Sequence, residues 1–311
     1  MLKNKKIKFA IIGASETENT KDLVCEIKKR GHKVYLIQPK NLVFEFSKNK
    51  KFKVKQGKID MDKLDIFIFR GYTINIIPAK ILAEKLIYNK KVVIDEVVGK
   101  KFIPSKIFES SQFAKYGINH PRTFQALDYK SYESIFNAVT FPIIVKPLYS
   151  QKGQDIIKIE NKNKAKKFFK KNPSGYLIQE FLKTDSDIRV FVVGNKVIGA
   201  IRRFVLPGDF RSNASLGAKA EKIVLAKEMK TIAIKAVKAM GYEIAGVDFL
   251  KYKNKLYVLE VNSTPQWQKF KEVTGINPAK NIINYALKKY EARFKINNCR
   301  DSRSGKRKYQ R

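Results

Sequence analysis

Two segments of this 311-residue chain carry acids where a core strand should have none. Gly246-Val247-Asp248-Phe249-Leu250 and Leu256-Tyr257-Val258-Leu259-Glu260-Val261-Asn262 are otherwise mostly apolar, and an unpaired carboxylate buried in such a strand costs several kcal/mol. Each acid therefore needs a positive partner. Glu260 and Asn262 lie two apart on one strand and share a face, which Asp248 can join from a paired strand. Two carboxylates and a carboxamide oxygen make a hard, oxygen-only set suited to Mg²⁺ that keeps positions for water and phosphate. The abundant lysines are the other partner the pattern allows.

Arginine is the second signal. Only 12 of the 65 basic residues are arginine, yet Arg189, Arg202, Arg203 and Arg211 fall close together. In a chain that defaults to lysine, arginine marks places where its planar fork is needed for phosphate or carboxylate; chance clustering and a structural ion-pair network are the alternatives. Arg211 and Asn213 sit in the polar stretch Asp209-Phe210-Arg211-Ser212-Asn213, where both can reach an anionic transition state. Lys146 ends the apolar strand Phe141-Pro142-Ile143-Ile144-Val145 and precedes Pro147, which suits a point charge aimed at phosphate or an ordinary strand-edge lysine.

The elements that must position these groups fall into two regions. The first alternates strand and helix: Lys8 to Ile12, Lys21 to Arg30, Lys33 to Gln38, Leu64 to Phe69, Ala79 to Asn89 and Lys91 to Ile94, a parallel α/β pattern. Lys48 to Lys58 is charged and aperiodic, an exposed loop or irregular edge hairpin. Gly13-Ala14-Ser15 follows the first strand without a GxGxxG, so it is a weak dinucleotide signal. Near residue 100 the pattern changes to α+β, mainly antiparallel. Helices are expected at Pro104 to Tyr116, Lys162 to Lys171, Ala226 to Met240 and Pro278 to Tyr290. Strands are expected at Ile143 to Lys146, Ile156 to Ile159, Tyr176 to Glu180, Asp187 to Val193, Lys196 to Arg203, Gly246 to Leu250 and Lys255 to Val261, with a hairpin at Gly194-Asn195. The end, Arg300 to Arg311, lacks apolar period and reads as a disordered basic tail.

Composition excludes several chemistries. Two histidines and two cysteines, without a CxxC, leave no material for a zinc cage, a disulfide framework or a histidine triad. A reducing, cytoplasmic setting fits. The apolar run after the basic start is too short for a signal-peptide core, and no stretch is long enough to span a membrane. The net charge of +37 would attract polyanions, so nucleic acid or the ribosome is a candidate partner. The lysines are nevertheless spread along the chain, without the aromatic and arginine clusters of a base-reading surface.

Taken in order, Phe141 to Pro147, Gln179-Glu180-Phe181-Leu182, Asp187-Ile188-Arg189, Gly208 to Asn213, Ala245-Gly246-Val247-Asp248 and Leu259-Glu260-Val261-Asn262 resemble the motifs of RimK-like ATP-grasp carboxylate–amine ligases. The resemblance covers about residues 100 to 290. It implies an α/β N-terminal domain (1–99), an α+β ATP-grasp domain (100–290) whose two subdomains hold ATP and Mg²⁺ in the cleft between them, and a basic tail (291–311). It implies that Lys106 and Lys146 contact ATP phosphates, that the backbone of Glu180 and Phe181 holds adenine, and that Asp187 lies on the ribose. Arg211 and Asn213 would bind phosphate or acyl-phosphate oxygens with Arg203 beside them, and Asp248, Glu260 and Asn262 would hold Mg²⁺, or Mn²⁺ in its place. The implied activity is ATP-dependent amide formation through an acyl phosphate. The amine would be an amino acid such as glutamate, and the carboxylate acceptor a peptide, protein tail or cofactor; a homo-oligomer is compatible. The competing reading is a catalytically inactive ATP-grasp module held on nucleic acid or the ribosome by its charge; the retained metal set and both lysines argue against it.

Three departures bear on substrate choice. The loop expected to be glycine-rich is Tyr149-Ser150-Gln151-Lys152-Gly153-Gln154, with one glycine. A glycine pair is replaced by Gly217-Ala218. After Asn262 comes Ser263-Thr264-Pro265-Gln266-Trp267, which puts the only tryptophan near the expected acceptor site.

Overall fold

The computed structural model describes residues 5–13, 16–47, 52–72, 75–100, 105–148, 155–206, 208–209 and 219–305, with side chains up to Arg293. Arg211, Asn213, the loop 149–154 and the pair Gly217-Ala218 lie outside the described residues.

The first strands, β1 (Lys8–Gly13), β2 (Lys33–Ile37), β6 (Ile66–Arg70) and β7 (Val92–Ile94), form a parallel sheet in the order β2-β1-β6-β7. Their apolar runs are continuous because both faces are covered. One face packs on α2 (Ile76–Tyr88) and on the hairpin sheet of β3 (Val43–Phe46), β4 (Phe52–Gln56) and β5 (Ile59–Asp60). That hairpin occupies the described part of the charged segment expected to be irregular. The other face packs against α1 (Glu18–Lys29), which Thr17 caps, and α8 (Pro278–Gly305).

An antiparallel sheet in the order β10-β9-β11-β8 follows, from β8 (Thr123–Gln125), β9 (Ile143–Pro147), β10 (Ile157–Ile159) and β11 (Tyr176–Glu180). Alternation on β9 sends Ile143 and Val145 into a core with Phe136 and Phe169, leaving Ile144 and Lys146 on the opposite face. The helices over that core are α4 (Tyr129–Ile135) and α5 (Lys162–Lys171).

The third large sheet has the order β14-β13-β12-β15-β16, built from β12 (Ser186–Val193), β13 (Lys196–Phe204), β14 (Ala220–Lys222), β15 (Ile244–Tyr252) and β16 (Lys255–Asn262). One face is apolar throughout and is covered by α3 (Lys106–Lys115) and α6 (Lys227–Met240). The other is apolar only at one end, where Phe191, Val193, Ile201 and Ile244 meet Trp267 and α7 (Gln268–Thr274).

Two expectations are corrected. First, α8 does not stop near Tyr290 but continues to Gly305, because Glu291, Ala292, Arg293 and Lys295 are good helix formers and no proline or glycine interrupts them. Besides the core it closes on the α2 and hairpin side, the N-terminal segment shares one with the rest of the chain. Phe9, Ile66, Ile68 and Ile94 share one apolar cluster with Phe191, Ile244, Trp267 and Ile283, α8 being the wedge between the sheets. Second, Trp267 is fully buried. Its ring lies under the Arg70 guanidinium at 5.2 Å and edge-on to Phe191, and its Nε1–H donates to Asp22 at 2.9 Å. It is a core residue and not an acceptor contact.

Candidate active site

The polar end of the five-stranded sheet gathers the residues that interrupt its apolar strands. Register places Asp187 opposite Arg203, Arg189 opposite Asp248, Asp248 opposite Glu260, and Gly246 opposite Asn262. A bulge on β16 breaks the alternation: Asp248 pairs with Glu260, but Phe249 pairs with Val258. The extra residue, Leu259, lets Val258 enter the apolar core while Glu260 stays on the polar face.

The charges on this face are paired with guanidinium groups. Arg189 forks onto Asp248 with Nε–Oδ1 2.7 Å and Nη2–Oδ2 2.6 Å. Arg203 forks onto Asp187 at 2.6 and 2.5 Å and also reaches Asp248 Oδ2 at 3.0 Å. Bidentate arginine pairs are the strong kind of ionic contact, and enclosure strengthens them further. Burial works against ionising Asp248, but Arg189 and Arg203 outweigh it and hold its carboxyl well below the usual range. Burial likewise opposes the charge of Arg203, and Asp248 and Asp187 override it. The arginine cluster thus includes the ion-pair network that was one of its alternatives. Asp187, expected on the ribose, has both its oxygens on Arg203 and a side chain 6% exposed.

Glu260 differs from these two acids. Its side chain is 40% exposed, it accepts from Asn262 Nδ2 at 2.8 Å, and it lies 4.0 Å from Arg189 Nη2. From outside this sheet come Lys146 on β9 and Lys106 at the start of α3. Burial lowers the pKa of both lysines, and the nearby carboxylates of Glu260 and Glu109 oppose the shift. Lys146 also feels Asp248, so β9 faces the polar end of the large sheet. Ser105 caps α3 and accepts from Phe108 N at 3.4 Å, which sets the helix that carries Lys106 and Glu109.

Glu109 was not anticipated from the sequence. Its Oε1 accepts the backbone N–H of Val261, between Glu260 and Asn262. Burial, helped by the Glu260 charge, pushes its carboxyl up to about 8. A Glu in the first turn of a capped helix is common, so only its proximity to Lys106 could have flagged it.

The opposite wall is the face of β9, β10 and β11 that carries Ile144, Lys146, Lys158, Leu177 and Gln179. Gln179 is buried and donates to Thr123 Oγ1 at 3.0 Å. Glu180 N–H donates to Arg122 O at 2.9 Å, and Lys158 Nζ stands 4.8 Å over the Phe181 ring. The apolar floor of Ile144 and Leu177 suits a flat heterocycle.

A buried support lies behind the metal-type residues. Arg70, at the C-terminal end of β6, donates to Ser263 O at 3.0 Å and Pro265 O at 3.1 Å, and burial lowers its pKa to about 10. On α1, Asn19 bonds Gln266 and Gln268, and Asp22 takes Trp267, Gln268 and Lys271. The chain leaving Asn262 is therefore pinned by the N-terminal sheet.

The residues fit a hard divalent cation. Glu260 and the Asn262 amide oxygen are oxygen donors two apart on an open face, while Asp248, its oxygens on arginine N–H groups, has only remaining lone pairs to offer. Among the described residues no three His, Cys, Asp or Glu side chains gather to hold a metal, so the amide is needed as a third donor.

Comparison with known proteins supplies the class and then the family. Over 92% of this chain and 100% of the other, the fold matches the ATP-grasp ligase PsnB, solved with a phosphomimetic variant of its minimal precursor, Mg and ADP, at TM-score 0.72 and 18% identity. The macrocyclase MdnC of Microcystis aeruginosa MRC, bound with precursor peptide MdnA, matches at TM-score 0.70 and 12% identity, over 91% of this chain and 100% of that one. The fold is that of the ATP-grasp ligases. The model of the RimK-like ATP-grasp domain matches residues 105–286. A protein of Trichodesmium erythraeum (strain IMS101) named "Probable alpha-L-glutamate ligase" is 31% identical over 91% of this chain and 96% of its own length. One of the same name from Haemophilus influenzae (strain PittEE) is 35% identical over 55% of this chain, and the match spans 59% of that relative. The chain belongs to the RimK-like ATP-grasp family.

Proposed function

We propose that this protein is an ATP-dependent carboxylate–amine ligase that forms an amide bond through an acyl phosphate. The observation that carries the reading is the meeting of two walls. Glu260, Asn262 and arginine-held Asp248 stand on one sheet, and Lys146 faces them from another, with Lys106 at the helix start beside them.

In this reading Ile144 and Leu177 floor the adenine, and the backbone around Glu180 and Phe181 provides its edge contacts. Lys106 and Lys146 bind phosphate oxygens, and Arg211 and Asn213 close on the reacting phosphoryl group. Glu260, Asn262 and Asp248 hold Mg²⁺, or Mn²⁺, which when bound neutralises phosphate charge. A substrate carboxylate attacks the γ-phosphorus, giving acyl phosphate and ADP; an amine then attacks the acyl carbon and phosphate leaves. No side-chain nucleophile is required, which agrees with a site built from fixed charges, and the rate comes from positioning and electrostatics.

The relatives' name supports glutamate as the amine, and the peptide complexes of the structural neighbours support a peptide carboxylate as acceptor. The decisive experiment supplies pooled amino acids and pooled carboxylates with Mg-ATP, follows ADP release, and identifies the product by mass spectrometry. ADP release that needs both pools and yields a condensed product is expected. Nucleotide binding without any condensation across the pools would remove the proposal.

A further inference from the structure

The charges on the polar face alternate in a ladder: Glu260, Arg189, Asp248, Arg203, Asp187. Arg189 is its half-buried inner rung, 16% exposed against 3% for Arg203. Two of its donors hold Asp248, and Nη2, one of these, lies 4.0 Å from Glu260. Its stem crosses Gly246, where a Cβ would lie in ordinary contact with Arg189 Cδ and Nε, at 3.5 and 3.6 Å, and would crowd only Pro265 Cβ, at 3.0 Å.

Consider what this means for a divalent cation arriving alone. The acids facing the cleft are Asp187, Asp248, Glu260 and Glu109, and the bases are Arg189, Arg203, Lys106 and Lys146. Among the described residues these formal charges cancel. At separations near 4 Å the interaction of unit charges exceeds thermal energy several times over in a partly buried site. A second cation beside Arg189 is therefore opposed, whereas a polyphosphate is attracted to the same place and tips the balance for the metal.

We propose that Arg189 is a resident counter-charge which makes divalent-cation binding conditional on the polyphosphate, excluding the free ion and admitting it only once phosphate oxygens have joined Lys106 and Lys146. The inference rests on the ATP-site reading above. Arg189 also orients Asp248, so it is a positioning residue as well, and the test must separate charge from orientation.

The test measures Mn²⁺ binding to nucleotide-free protein, by loss of the free-ion electron paramagnetic resonance signal, for the wild type, Arg189→Lys and Arg189→Met. ADP binding in chelator is measured in parallel by calorimetry, and circular dichroism checks the fold of each variant. Lysine keeps the charge and loses the fork; methionine loses both. Wild type and Arg189→Lys should bind Mn²⁺ weakly, Arg189→Met at least tenfold more tightly, and Arg189→Met should bind metal-free ADP more weakly than the other two. If Arg189→Met binds Mn²⁺ no better than wild type, or if the Lys and Met variants behave alike, the counter-charge role is overturned. Should Arg189→Met fail to fold, Arg189→Gln takes its place under the same criteria. If the wild type binds no ADP with or without Mn²⁺, the ATP-site reading is what fails, and the nucleotide-free Mn²⁺ comparison still decides the role of Arg189.

Discussion

The junction between the parallel sheet and the large antiparallel sheet should make stability depend on pH through one side chain. Asp95, after β7, is buried, and its Oδ1 accepts from Glu243 N at 2.6 Å and Ile244 N at 3.1 Å. Glu243 reciprocates, its Oε2 accepting from Asp95 N at 2.7 Å and its Oε1 taking Tyr285 OH and Lys289 Nζ, each at 2.7 Å. Burial, and then the Glu243 charge, raise Asp95 from 3.8 to about 7, against the two backbone donors and Arg70. A raised carboxyl contributes stability that is fully present below its unfolded pKa and lost as pH rises through its folded pKa. The loss therefore falls between about pH 4 and pH 7. The full shift corresponds to about 4 kcal/mol at 1.36 kcal/mol per unit, an upper bound because relaxation around the ionised pair reduces it.

Asp95→Asn keeps the acceptor and removes the ionisation, and asparagine tolerates the left-handed backbone at φ 64°. Denaturant unfolding followed by the fluorescence of the lone, buried Trp267 reads the junction directly. The variant's stability relative to wild type should rise by about 1 to 4 kcal/mol between pH 4 and pH 7 and then level off. Parallel pH profiles for the two proteins would refute the reasoning.

Other expectations follow from the site and its support. Glu260→Ala should abolish ATP turnover while leaving the thermal midpoint within a few degrees, as a half-exposed side chain requires; near-wild-type turnover would reject its metal role. Lys146→Ala should raise the dissociation constant for ATP by tenfold or more, measured by calorimetry. Arg211→Lys should lower kcat by about two orders of magnitude with little change in KM for ATP, since lysine keeps the charge and loses the fork. Trp267→Ala should cost about 3 to 5 kcal/mol by denaturation, the usual range for emptying a large aromatic site.

Much of the frame was legible in the sequence because period and punctuation are local. The helix over 162–171 and the strands flanking Gly194-Asn195 follow from apolar spacing and turn residues, and the structure has them within a residue or two. The acids on β15 and β16 were legible because polarity inside an apolar strand is anomalous. Short elements were missed: α4 and α7, each seven residues, are too brief for a helical period to emerge. Partners were missed for a different reason. That Asp187 turns to Arg203, that Glu109 caps Val261 N–H, and that Trp267 leaves the acceptor side for the core depend on strand order and register, which no local pattern encodes.

The same distinction explains why the N-terminal sheet matters to a site whose motifs lie elsewhere. Asn262 ends β16, and the next residues would be free to drift if only the strand ladder held them. Instead the Arg70 fork takes the carbonyls of Ser263 and Pro265, and α1 takes Gln266, Trp267 and Gln268 through Asn19 and Asp22. A buried guanidinium deprived of such acceptors carries a large desolvation cost, so these contacts reinforce one another and the loop has one arrangement. The position of Asn262 is thereby tied to the first strands of the chain through Trp267, whose indole is shared by both sheets. A substitution at Arg70, far in sequence from every motif, should for that reason disturb the face that carries Asn262 before it disturbs the wall of β9 and β11, with which Arg70 has no hydrogen bond among the described residues.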